Sequence, residues 1–341
     1  GVMCPHHGII NRSFLSAQIQ GMGPEDRTGL LVPLYHMFGN TCALLTGMTV
    51  GAALVIFGQY YETGQALRGL AEARCTIVYG APSQFIAMME HPLYREVDLS
   101  SLRGGIMGGA PCPMEVMRKV VDDMGVKAIL VGYGQTEACS WVTLTRPDDA
   151  LEVRVSTIGR ALPRTEVKVV DPQTGEDTGV GRPGEMCARG FLMAGYYKMP
   201  AATAKALDAQ GWLHTGDLVS MDEQGNCRVL GRIKELISSP DGGISPVEIE
   251  EVLFGHPDVI EAAAFGLPGR DGGERVAVWL KVRPGVRLEA EDVIAFCRER
   301  MPAGMVPEIV HLTDSFPMTA TGKIQKFKMR EITLAKIESG K

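Results

Sequence analysis

The sequence predicts an α/β large domain with mixed sheets and helices and a β-rich subdomain, followed by a small α+β C-terminal domain. In the first part, short apolar runs bounded by glycine or proline alternate with helical stretches, as in parallel strands joined by crossover helices. Between about residues 159 and 231, turn residues separate short strands. Helices and strands mix again beyond residue 232. We therefore predict a large domain over 1–232, with a β-rich subdomain over 159–232, and a C-terminal domain over 233–341.

The individual elements follow from these patterns in chain order. In the large domain we predict buried strands at Ala52–Ile56, Thr76–Tyr79, Gly105–Met107 and Ala128–Val131, and helices at Thr63–Arg74 and Pro113–Met124. In the β-rich subdomain we predict strands at Glu166–Val170, Gly184–Arg189 and Cys227–Leu230. In the C-terminal domain we predict helices at Pro246–Phe254 and Ala290–Arg300, and strands at Glu261–Gly266 and Arg275–Val282.

The composition argues against several classes of protein. Hydrophobic residues make up 45% and charged residues 22% of the 341, an ordinary globular composition that allows two or three domains. The net charge of -6 creates no strong field, so we expect small-molecule partners rather than nucleic acid or an anionic membrane. The apolar runs are much shorter than the roughly 20 residues that a transmembrane helix needs.

The cysteines and the N-terminus bear on the cellular compartment. The eight cysteines are widely spaced, with no C-x-x-C pair and no histidine at zinc-ligand spacing, so we predict reduced thiols. The chain begins G-V-M-C-P-H-H, without an initiating methionine or a charged-then-apolar leader. We expect a cytoplasmic protein whose native N-terminus is absent from this sequence.

Two glycine-containing segments are candidates for a nucleotide pocket, because each follows a predicted strand and open α/β sheets bind ligands there. The binding candidates are Gly108, Gly109, Ala110, Pro111, Tyr133, Gly134 and Gln135. Glycines let a backbone approach a base or phosphate, and Tyr133 offers a stacking face. Thr136 adds a hydroxyl and Glu137 a carboxylate suited to Mg²⁺. Two glycine turns with a surface glutamate remain the alternative for either segment alone.

Four motifs occur in the order found in adenylate-forming enzymes. They are Tyr133–Glu137 (Y-G-Q-T-E), Gly211–Asp217 (G-W-L-H-T-G-D), Gly231–Lys234 (G-R-I-K) and Thr321–Lys326 (T-G-K-I-Q-K). Over essentially its whole length the chain resembles this superfamily of AMP-binding enzymes. It is most similar to the medium-chain fatty acyl-CoA synthetases, through Pro33–His36, Tyr79–Pro82 and Phe316–Lys328. The resemblance implies the adenylate-forming fold, with a mobile C-terminal domain and an active site between the domains.

The resemblance also implies roles for residues that composition and spacing leave unassigned. Asp217 would accept hydrogen bonds from both ribose hydroxyls, with Arg232 near the ribose. Lys323 would approach the α-phosphate and the acyl carboxylate, and Lys234 would be the hinge of the small domain. Without the resemblance, these residues have plain alternatives as a turn cap, a solvated basic tail and a linker lysine.

The catalytic candidates are Lys323, His36, Thr136 and Glu137, and Glu137 is also the candidate Mg²⁺ ligand. In the relatives, the P-L-Y-H-M-F-G segment that contains His36 lies beside the acyl pocket and the phosphate. A lone histidine is more often structural, which is the alternative here. For the wall of the apolar acyl tunnel we name Phe38, Met107 and Cys139, with ordinary core residues as the alternative.

The sequence departs from the family pattern in two places. The family's glycine- and hydroxyl-rich phosphate loop would end at Gly1-Val2, so the resemblance implies a large domain truncated at its start and a polypeptide that lacks donors to the β- and γ-phosphates. After the hinge, relatives read I-x-x-G-G-E-N-I-x-P, whereas Ile237–Pro246 reads I-S-S-P-D-G-G-I-S-P. Pro240 removes a backbone donor beside the expected pantetheine channel.

The function that the resemblance implies is that of an ATP-dependent acyl-CoA synthetase, an AMP-forming acid-thiol ligase. A fatty, medium-chain carboxylate would form acyl-AMP and then a thioester, with ATP, Mg²⁺ and coenzyme A as cofactors. Two alternatives stay open: an acyl-adenylating module that loads a carrier protein or oxidises its adenylate, and a non-catalytic fragment without the phosphate loop. The oligomeric state also stays open, with a homodimer as one alternative.

Overall fold

A parallel sheet is the centre of the large domain in the computed structural model, which describes residues 1–110, 112–240, 242–269, 272–319 and 324–339. The strands through residue 161 are β1 (Val2–Met3), β2 (Arg27–Leu30), β3 (Ala53–Ile56), β4 (Ile77–Gly80), β5 (Gly104–Gly108), β6 (Ala128–Gln135), β7 (Ser140–Leu144) and β8 (Arg160–Ala161). The helices are α1 (His6–Ile19), α2 (Thr46–Thr49), α3 (Thr63–Glu72), α4 (Pro82–Glu90), α5 (Met114–Asp122) and α6 (Leu151–Ser156). A π-helical segment, Phe38–Leu45, and 3₁₀ turns at Pro92–Arg95 and Thr136–Ala138 complete this part.

The strand order of this sheet is β3-β2-β4-β5-β6-β7-β8. Strands β3 to β6 of that order pair in parallel, whereas β7 runs antiparallel to β6 and β8 antiparallel to β7. Ile77, Tyr79, Ile106 and Leu130 are buried in one core beneath the strands. The predicted parallel strands with crossover helices are confirmed, and so is the α/β class of the domain.

The boundary predicted for β6 is wrong. The strand continues past Val131 to Gln135, so Tyr133–Gln135 lies inside the strand and not in a loop after it. The reason is β7, which returns antiparallel and pairs Gly134 with Trp141 and Gln135 with Ser140. Only glycine fits at 134, because a Cβ there would lie 2.1 Å from the Ser140 carbonyl oxygen.

The β-rich region contains a second sheet, of order β13-β12-β10-β9. Its elements are β9 (Glu166–Val170), β10 (Gly184–Arg189), β11 (Gly195–Tyr196), α7 (Pro200–Ala206), β12 (Leu213–Met221) and β13 (Cys227–Arg232). Val169, Met186, Ala188 and Leu213 form its buried core. The short strand β11 lies outside this sheet and pairs antiparallel with β1. The strands predicted at Glu166–Val170 and Gly184–Arg189 have the predicted bounds.

The chain divides into two compact units, Gly1–Val229 and Leu230–Lys341. The predicted boundary at 232/233 lies three residues further on and stays a prediction. The second unit contains β14 (Ile237–Ser239), β15 (Gly242–Ile244), α8 (Pro246–Phe254), β16 (Val259–Pro268), β17 (Glu274–Val282), α9 (Ala290–Arg298), β18 (Ile309–Leu312) and α10 (Lys326–Glu338), with 3₁₀ turns at Ile233–Glu235 and Ala303–Met305.

The sheet β16-β17-β18 is covered on both faces. Successive residues of a strand point to opposite faces. Ala264 accordingly packs in a core with Ile249 of α8 and Val293 of α9, whereas Phe265 packs in another core with Met329 of α10. This is the small α+β domain that the sequence predicts. Across the described parts of both units, no helix is long and apolar enough to span a membrane.

Asp26 ties together the amino ends of three parallel strands. Its carboxylate accepts hydrogen bonds from Thr76 Oγ1 at 2.7 Å, from Arg103 Nε at 2.9 Å and Nη2 at 2.6 Å, and from the Gly23 N–H at 2.9 Å. Asp26, Thr76 and Arg103 each directly precede a strand, β2, β4 and β5 respectively. Burial opposes ionisation of Asp26, but the hydrogen bonds from Arg103, Thr76 and Gly23 hold its pKa below the usual value.

A substitution at Gly105 in β5 tests how tightly the parallel strands pack. Its φ is +141°, and a Cβ at this position would lie 1.9 Å from the Val78 carbonyl oxygen in β4. We expect Gly105→Ala to lower the free energy of unfolding by about 3 kcal/mol or more, since both backbone strain and a rigid clash oppose it. Urea unfolding measures this. The control is Gly125→Ala, where φ is +76° but no atom lies within 4 Å; equal losses in the two variants would contradict the packing argument.

The Asp26 cluster predicts a particular dependence of stability on pH. Because the folded-state pKa of Asp26 is lowered, its ionisation stabilises the protein above the unfolded-state pKa of about 3.9. This contribution is lost as the pH falls through the folded-state pKa. We expect Asp26→Asn to unfold with about 1–3 kcal/mol less free energy at pH 7, and this deficit to shrink below about pH 4. Chemical unfolding at several pH values checks this; a deficit that stays constant with pH would exclude the ionised form as the source.

Candidate functional site

The carboxyl ends of β5 and β6 lie side by side and form the centre of the candidate site. Gly108, the last residue of β5, pairs with Gly132 of β6. The predicted segment Gly108–Ala110 therefore leaves the sheet beside Tyr133, while Pro111 lies outside the described residues. A Cβ on Gly108 would lie 2.9 Å from the Gly132 carbonyl oxygen and 3.1 Å from the Trp141 ring. Packing alone thus requires glycine at 108, so the residue type by itself does not demonstrate ligand binding.

Aromatic rings underlie this edge of the sheet. Phe38 meets Trp141 edge to face with ring centroids 5.3 Å apart, and meets Tyr79 in the same way at 6.3 Å. Phe38, Met107 and Cys139, named above for the acyl tunnel, are all buried. That burial fits both a tunnel wall and ordinary core, so the tunnel assignment stays a prediction.

His36 lies at the entrance to the π-helical segment Phe38–Leu45. Its Nδ1 accepts a hydrogen bond from the Phe38 N–H at 3.2 Å, and its carbonyl oxygen accepts one from the Asn40 N–H at 2.9 Å. These contacts give His36 a structural role at the start of the segment. Its catalytic role stays a prediction.

Tyr133 and Asp217 bring two distant motifs together. The Tyr133 hydroxyl donates to Asp217 Oδ2 at 2.5 Å, across 84 positions of sequence. Asp217 lies on β12 and is only 5% exposed. Its N–H donates to Thr215 Oγ1 at 3.2 Å, and that hydroxyl donates to the Met186 carbonyl oxygen at 2.7 Å. Tyr133 of the first motif therefore holds the Asp217 side chain, and Thr215 links the Asp217 backbone to Met186 of β10.

Glu137 lies in the 3₁₀ turn Thr136–Ala138 that follows β6. Its Oε1 accepts a hydrogen bond from the Tyr196 hydroxyl at 2.8 Å, and its carbonyl oxygen accepts one from the Met193 N–H at 2.8 Å. Burial, together with the hydrogen bond and the charge of Glu137, raises the pKa of Tyr196 to about 12. The phenol stays protonated at neutral pH and orients the carboxylate.

The backbone directly after this turn is strained. Cys139 has φ of +55° and Ser140 has φ of +132°, values that L residues rarely adopt. Consecutive residues of this kind are found where surrounding contacts overdetermine the conformation, often beside functional residues. The Thr136 carbonyl oxygen also accepts a hydrogen bond from Cys4 Sγ at 3.3 Å. Nothing in the residue types of this stretch predicts the strain.

Sequence reasoning missed two residues beside Asp217, namely Glu185 of β10 and His214 of β12. Glu185 Oε2 lies 2.8 Å from His214 Nδ1, and Glu185 Oε1 accepts a hydrogen bond from the Gly216 N–H at 2.9 Å. His214 Nε2 lies 3.7 Å from Asp208 Oδ2. His214 belongs to the G-W-L-H-T-G-D motif, which was the available signal, but no pattern in the sequence links it to Glu185.

Among the described residues, Glu185, Cys187 and His214 are a group of potential metal ligands, whose ligand atoms lie within 4.8 Å of one another. Both ring nitrogens of His214 face carboxylates. Burial, then the charge of Glu185, raises the pKa of the Cys187 thiol to about 12, so it stays protonated at neutral pH. Hydrogen bonding alone accounts for this arrangement. All eight cysteines are free, as predicted.

The remaining candidates belong to the second compact unit. Arg232 is the exposed last residue of β13, and Lys234 is exposed in the 3₁₀ turn Ile233–Glu235. Lys323 lies outside the described residues. The ribose, hinge and phosphate roles of these three residues therefore stay predictions.

Family models match most of the chain. The model described as "AMP-binding enzyme" matches residues 1–197, and that of the "AMP-binding enzyme C-terminal domain" matches residues 248–323.

Individual relatives and solved structures show the same similarity. "Putative acyl-CoA synthetase YngI" of Bacillus subtilis (strain 168) is 43% identical over 98% of this chain and 61% of its own length. The mitochondrial medium-chain acyl-CoA ligase ACSF2 of Danio rerio is 36% identical over 98% of this chain and 55% of its own. The crystal structure of the anthranilate CoA ligase AuaEII with anthranoyl-AMP superposes with a TM-score of 0.91 at 27% identity, over 99% of this chain and 66% of that one. The chain thus spans little more than half the length of the two relatives.

Removing the Tyr133 hydroxyl tests its hydrogen bond to the buried Asp217. Tyr133→Phe deletes a charge-assisted donor but keeps the ring, so we expect about 1–3 kcal/mol less free energy of unfolding. Denaturant unfolding measures the difference. The control is Tyr60→Phe, since Tyr60 is 78% exposed and its hydroxyl contacts Gln59 at the surface. If Tyr133→Phe lowers the free energy of unfolding no more than the control does, the hydrogen bond from Tyr133 to Asp217 does not stabilise the folded protein.

Proposed function

Because the chain belongs to the AMP-binding enzyme family, we propose that the protein containing it is an ATP-dependent, AMP-forming acyl-CoA synthetase. The observation that carries this proposal is the hydrogen bond from Tyr133 to the buried Asp217, which joins two motifs at one edge of the sheet. The names of the two relatives support coenzyme A as acceptor, and that of the Danio rerio ligase supports a medium-chain carboxylate.

The proposed reaction has two steps. A carboxylate oxygen of the fatty acid attacks the α-phosphorus of ATP, the bond from that phosphorus to the bridging oxygen breaks, and pyrophosphate leaves. The thiol of coenzyme A then attacks the carbonyl carbon of acyl-AMP, loses its proton and expels AMP. Both steps change bonds at the phosphate and acyl ends of the substrate and leave the ribose unchanged. The protein can therefore bind the ribose in the same position during both steps.

Asp217 and Tyr133 bind the ribose in this proposal. An ionised carboxylate can accept about four hydrogen bonds, so Asp217 has the capacity to accept both ribose hydroxyls beside the Tyr133 phenol. The low exposure of Asp217 strengthens each of these bonds. Gly109, which directly follows β5, leaves the strand end beside Tyr133 without a side chain, which suits the approach of a flat base. Gly108 and Gly134 stay predicted nucleotide contacts, since packing already accounts for glycine at both positions.

Glu137 is the proposed holder of Mg²⁺, because carboxylate oxygens are its preferred ligands. Tyr196 donates to Oε1 of this carboxylate and so restricts its orientation. When bound, Mg²⁺ would neutralise charge on the phosphates. On the motif resemblance alone, we assign Lys323 to the α-phosphate, Arg232 to the ribose and Lys234 to the hinge. Thr136 and His36 are assigned in the same way, as further contacts near the reacting groups.

A carrier-protein thiol is the second candidate acceptor. The motif that borders the pantetheine channel in relatives is altered here at Ser238–Gly243. Strands β14 and β15 pair across this segment, matching Ser239 with Gly242, and Pro240 offers no N–H between them. We propose a cytoplasmic location, with which eight free thiols agree, and leave a homodimer as a prediction.

Asp217→Ala in the full-length protein tests the nucleotide pocket. Losing two charge-assisted hydrogen bonds to the ribose should weaken AMP binding by about 100-fold or more, since each such bond contributes a net free energy of roughly 1.5–3 kcal/mol. Calorimetry with AMP and an acyl-adenylate measures the affinity. The matched control is Asp171→Ala, which removes a carboxylate that caps a surface turn of the same region.

Turnover assays then separate the candidate functions. Pyrophosphate release with medium-chain fatty acids, followed by thioester formation with coenzyme A, would support the synthetase. Pyrophosphate release without coenzyme A acylation would favour a carrier-protein acceptor. Unchanged AMP affinity in Asp217→Ala, or no AMP binding by the unsubstituted protein, would overturn the proposed pocket.

A further inference from the structure

Asp217 lies in a bulge of β12. Glu185 of β10 pairs with Leu218, and Cys187 pairs with His214, so Met186 alone faces three residues, Thr215 to Asp217. Bulges interrupt the hydrogen bonds between strands and redirect side chains, and they occur often beside active sites. The direction of the Asp217 carboxylate therefore depends on whatever holds this bulge in shape.

The pairing of β12 with β10 does not hold the bulge, because Thr215–Asp217 have no matching partners on β10. Two side chains substitute for it. Thr215 Oγ1 donates to the Met186 carbonyl oxygen at 2.7 Å, and Glu185 Oε1 accepts from the Gly216 N–H at 2.9 Å. Gly216 has φ of +71°, a conformation that glycine adopts without strain but does not enforce. The Glu185 carboxylate therefore supplies a constraint that the pairing of β12 with β10 lacks.

The second oxygen of Glu185 is anchored as well. Oε2 lies 2.8 Å from His214 Nδ1, and the other ring nitrogen of His214 lies 3.7 Å from Asp208 Oδ2. Asp208 accepts hydrogen bonds from the N–H groups of Gln210 and Trp212, which fix it in the preceding turn. The side chain of Glu185 is only 13% exposed, so water competes little for its oxygens, whereas the side chains of His214 and Asp208 are 35% and 31% exposed.

We propose that Glu185 is a positioning residue for nucleotide binding, whose carboxylate clamps the His214 ring and the Gly216 N–H and thereby aims Asp217 at the ribose. The inference rests on the proposed function, since it takes the ribose diol as the ligand of Asp217. It adds a residue that contacts no nucleotide itself. A purely structural Glu185 would support the stability of the sheet without affecting how the site distinguishes nucleotides.

Ribose discrimination separates these two roles. AMP and 2′,3′-dideoxy-AMP differ only in the two hydroxyls that Asp217 is proposed to accept. The ratio of their affinities, measured by calorimetry on the full-length protein, therefore shows whether the Asp217 carboxylate is oriented toward the ribose hydroxyls. Loss of overall stability does not by itself change this ratio, and thermal unfolding is recorded in parallel.

We expect the unsubstituted protein to prefer AMP by about 100-fold, and Asp217→Ala to show almost no preference. Glu185→Ala should reduce the preference about tenfold or more. Glu185→Gln should keep most of it, because the amide oxygen still accepts from Gly216 while its NH₂ group can donate to a neutral His214. In the double variant Glu185→Ala/Asp217→Ala, the preference should equal that of Asp217→Ala alone, because both act through one carboxylate.

Glu166→Ala is the matched control. Glu166 of β9 pairs with Arg189 of β10, the strand that carries Glu185, but Glu166 is exposed and its ion pair lies away from the bulge. Its removal should leave the preference for AMP unchanged. If Glu185→Ala does not fold, Glu185→Asp replaces it, since a side chain shorter by one methylene cannot span both His214 and Gly216.

The outcomes distinguish the inference from the proposed function. A preference that collapses in Asp217→Ala but remains at the unsubstituted value in Glu185→Ala, or in Glu185→Asp if that variant is used, would overturn the positioning role and leave the pocket intact. If the unsubstituted protein binds AMP and the dideoxy nucleotide equally, the ribose role of Asp217 is wrong. The positioning role of Glu185, which depends on it, is then wrong as well.

Discussion

The parallel pairing of β5 with β6 is the constraint on which the candidate site depends. It sets Gly108 against Gly132 and so brings the ends of two separate motif segments to one edge of the sheet. The pairing is close because glycines line it and because the Trp141 ring fills the space that side chains would take. Tyr133 follows Gly132 directly on β6, and its hydroxyl donates from there to Asp217 of β12, so the two motifs share a hydrogen bond.

Stability and function are separated along the same strands. At the amino ends, the buried Asp26 joins three strands through hydrogen bonds from Thr76 and from the partly exposed Arg103. At the carboxyl ends of β5 and β6 the chain instead carries glycines and, after β6, a strained backbone at Cys139 and Ser140, while the bulge around Gly216 lies in β12 of the second sheet. These features are less favourable locally, and the well-packed core between the two edges offsets them.

Much of the fold was predictable because apolar periodicity records burial directly. The helix Pro246–Phe254 and the strands Glu166–Val170 and Gly184–Arg189 have the predicted bounds. The end of β6 was wrong because residues Tyr133–Gln135 are polar or glycine and become a strand only through pairing with β7. The strained backbone after Thr136 was not predictable either, since cysteine and serine carry no preference for positive φ.

The α/β and α+β character of the two parts can be predicted from the sequence alone, and so can the residue types of the candidate site, through motifs such as Y-G-Q-T-E and G-W-L-H-T-G-D. Which side chains contact one another follows from the folded structure alone, as in the contacts of Tyr133 with Asp217, Tyr196 with Glu137, and Glu185 with His214 and Gly216. The physical reason is that periodicity along a strand shows which face is buried but not which residue of another strand lies opposite. That pairing follows from register and bulges, which depend on the packing of the whole sheet.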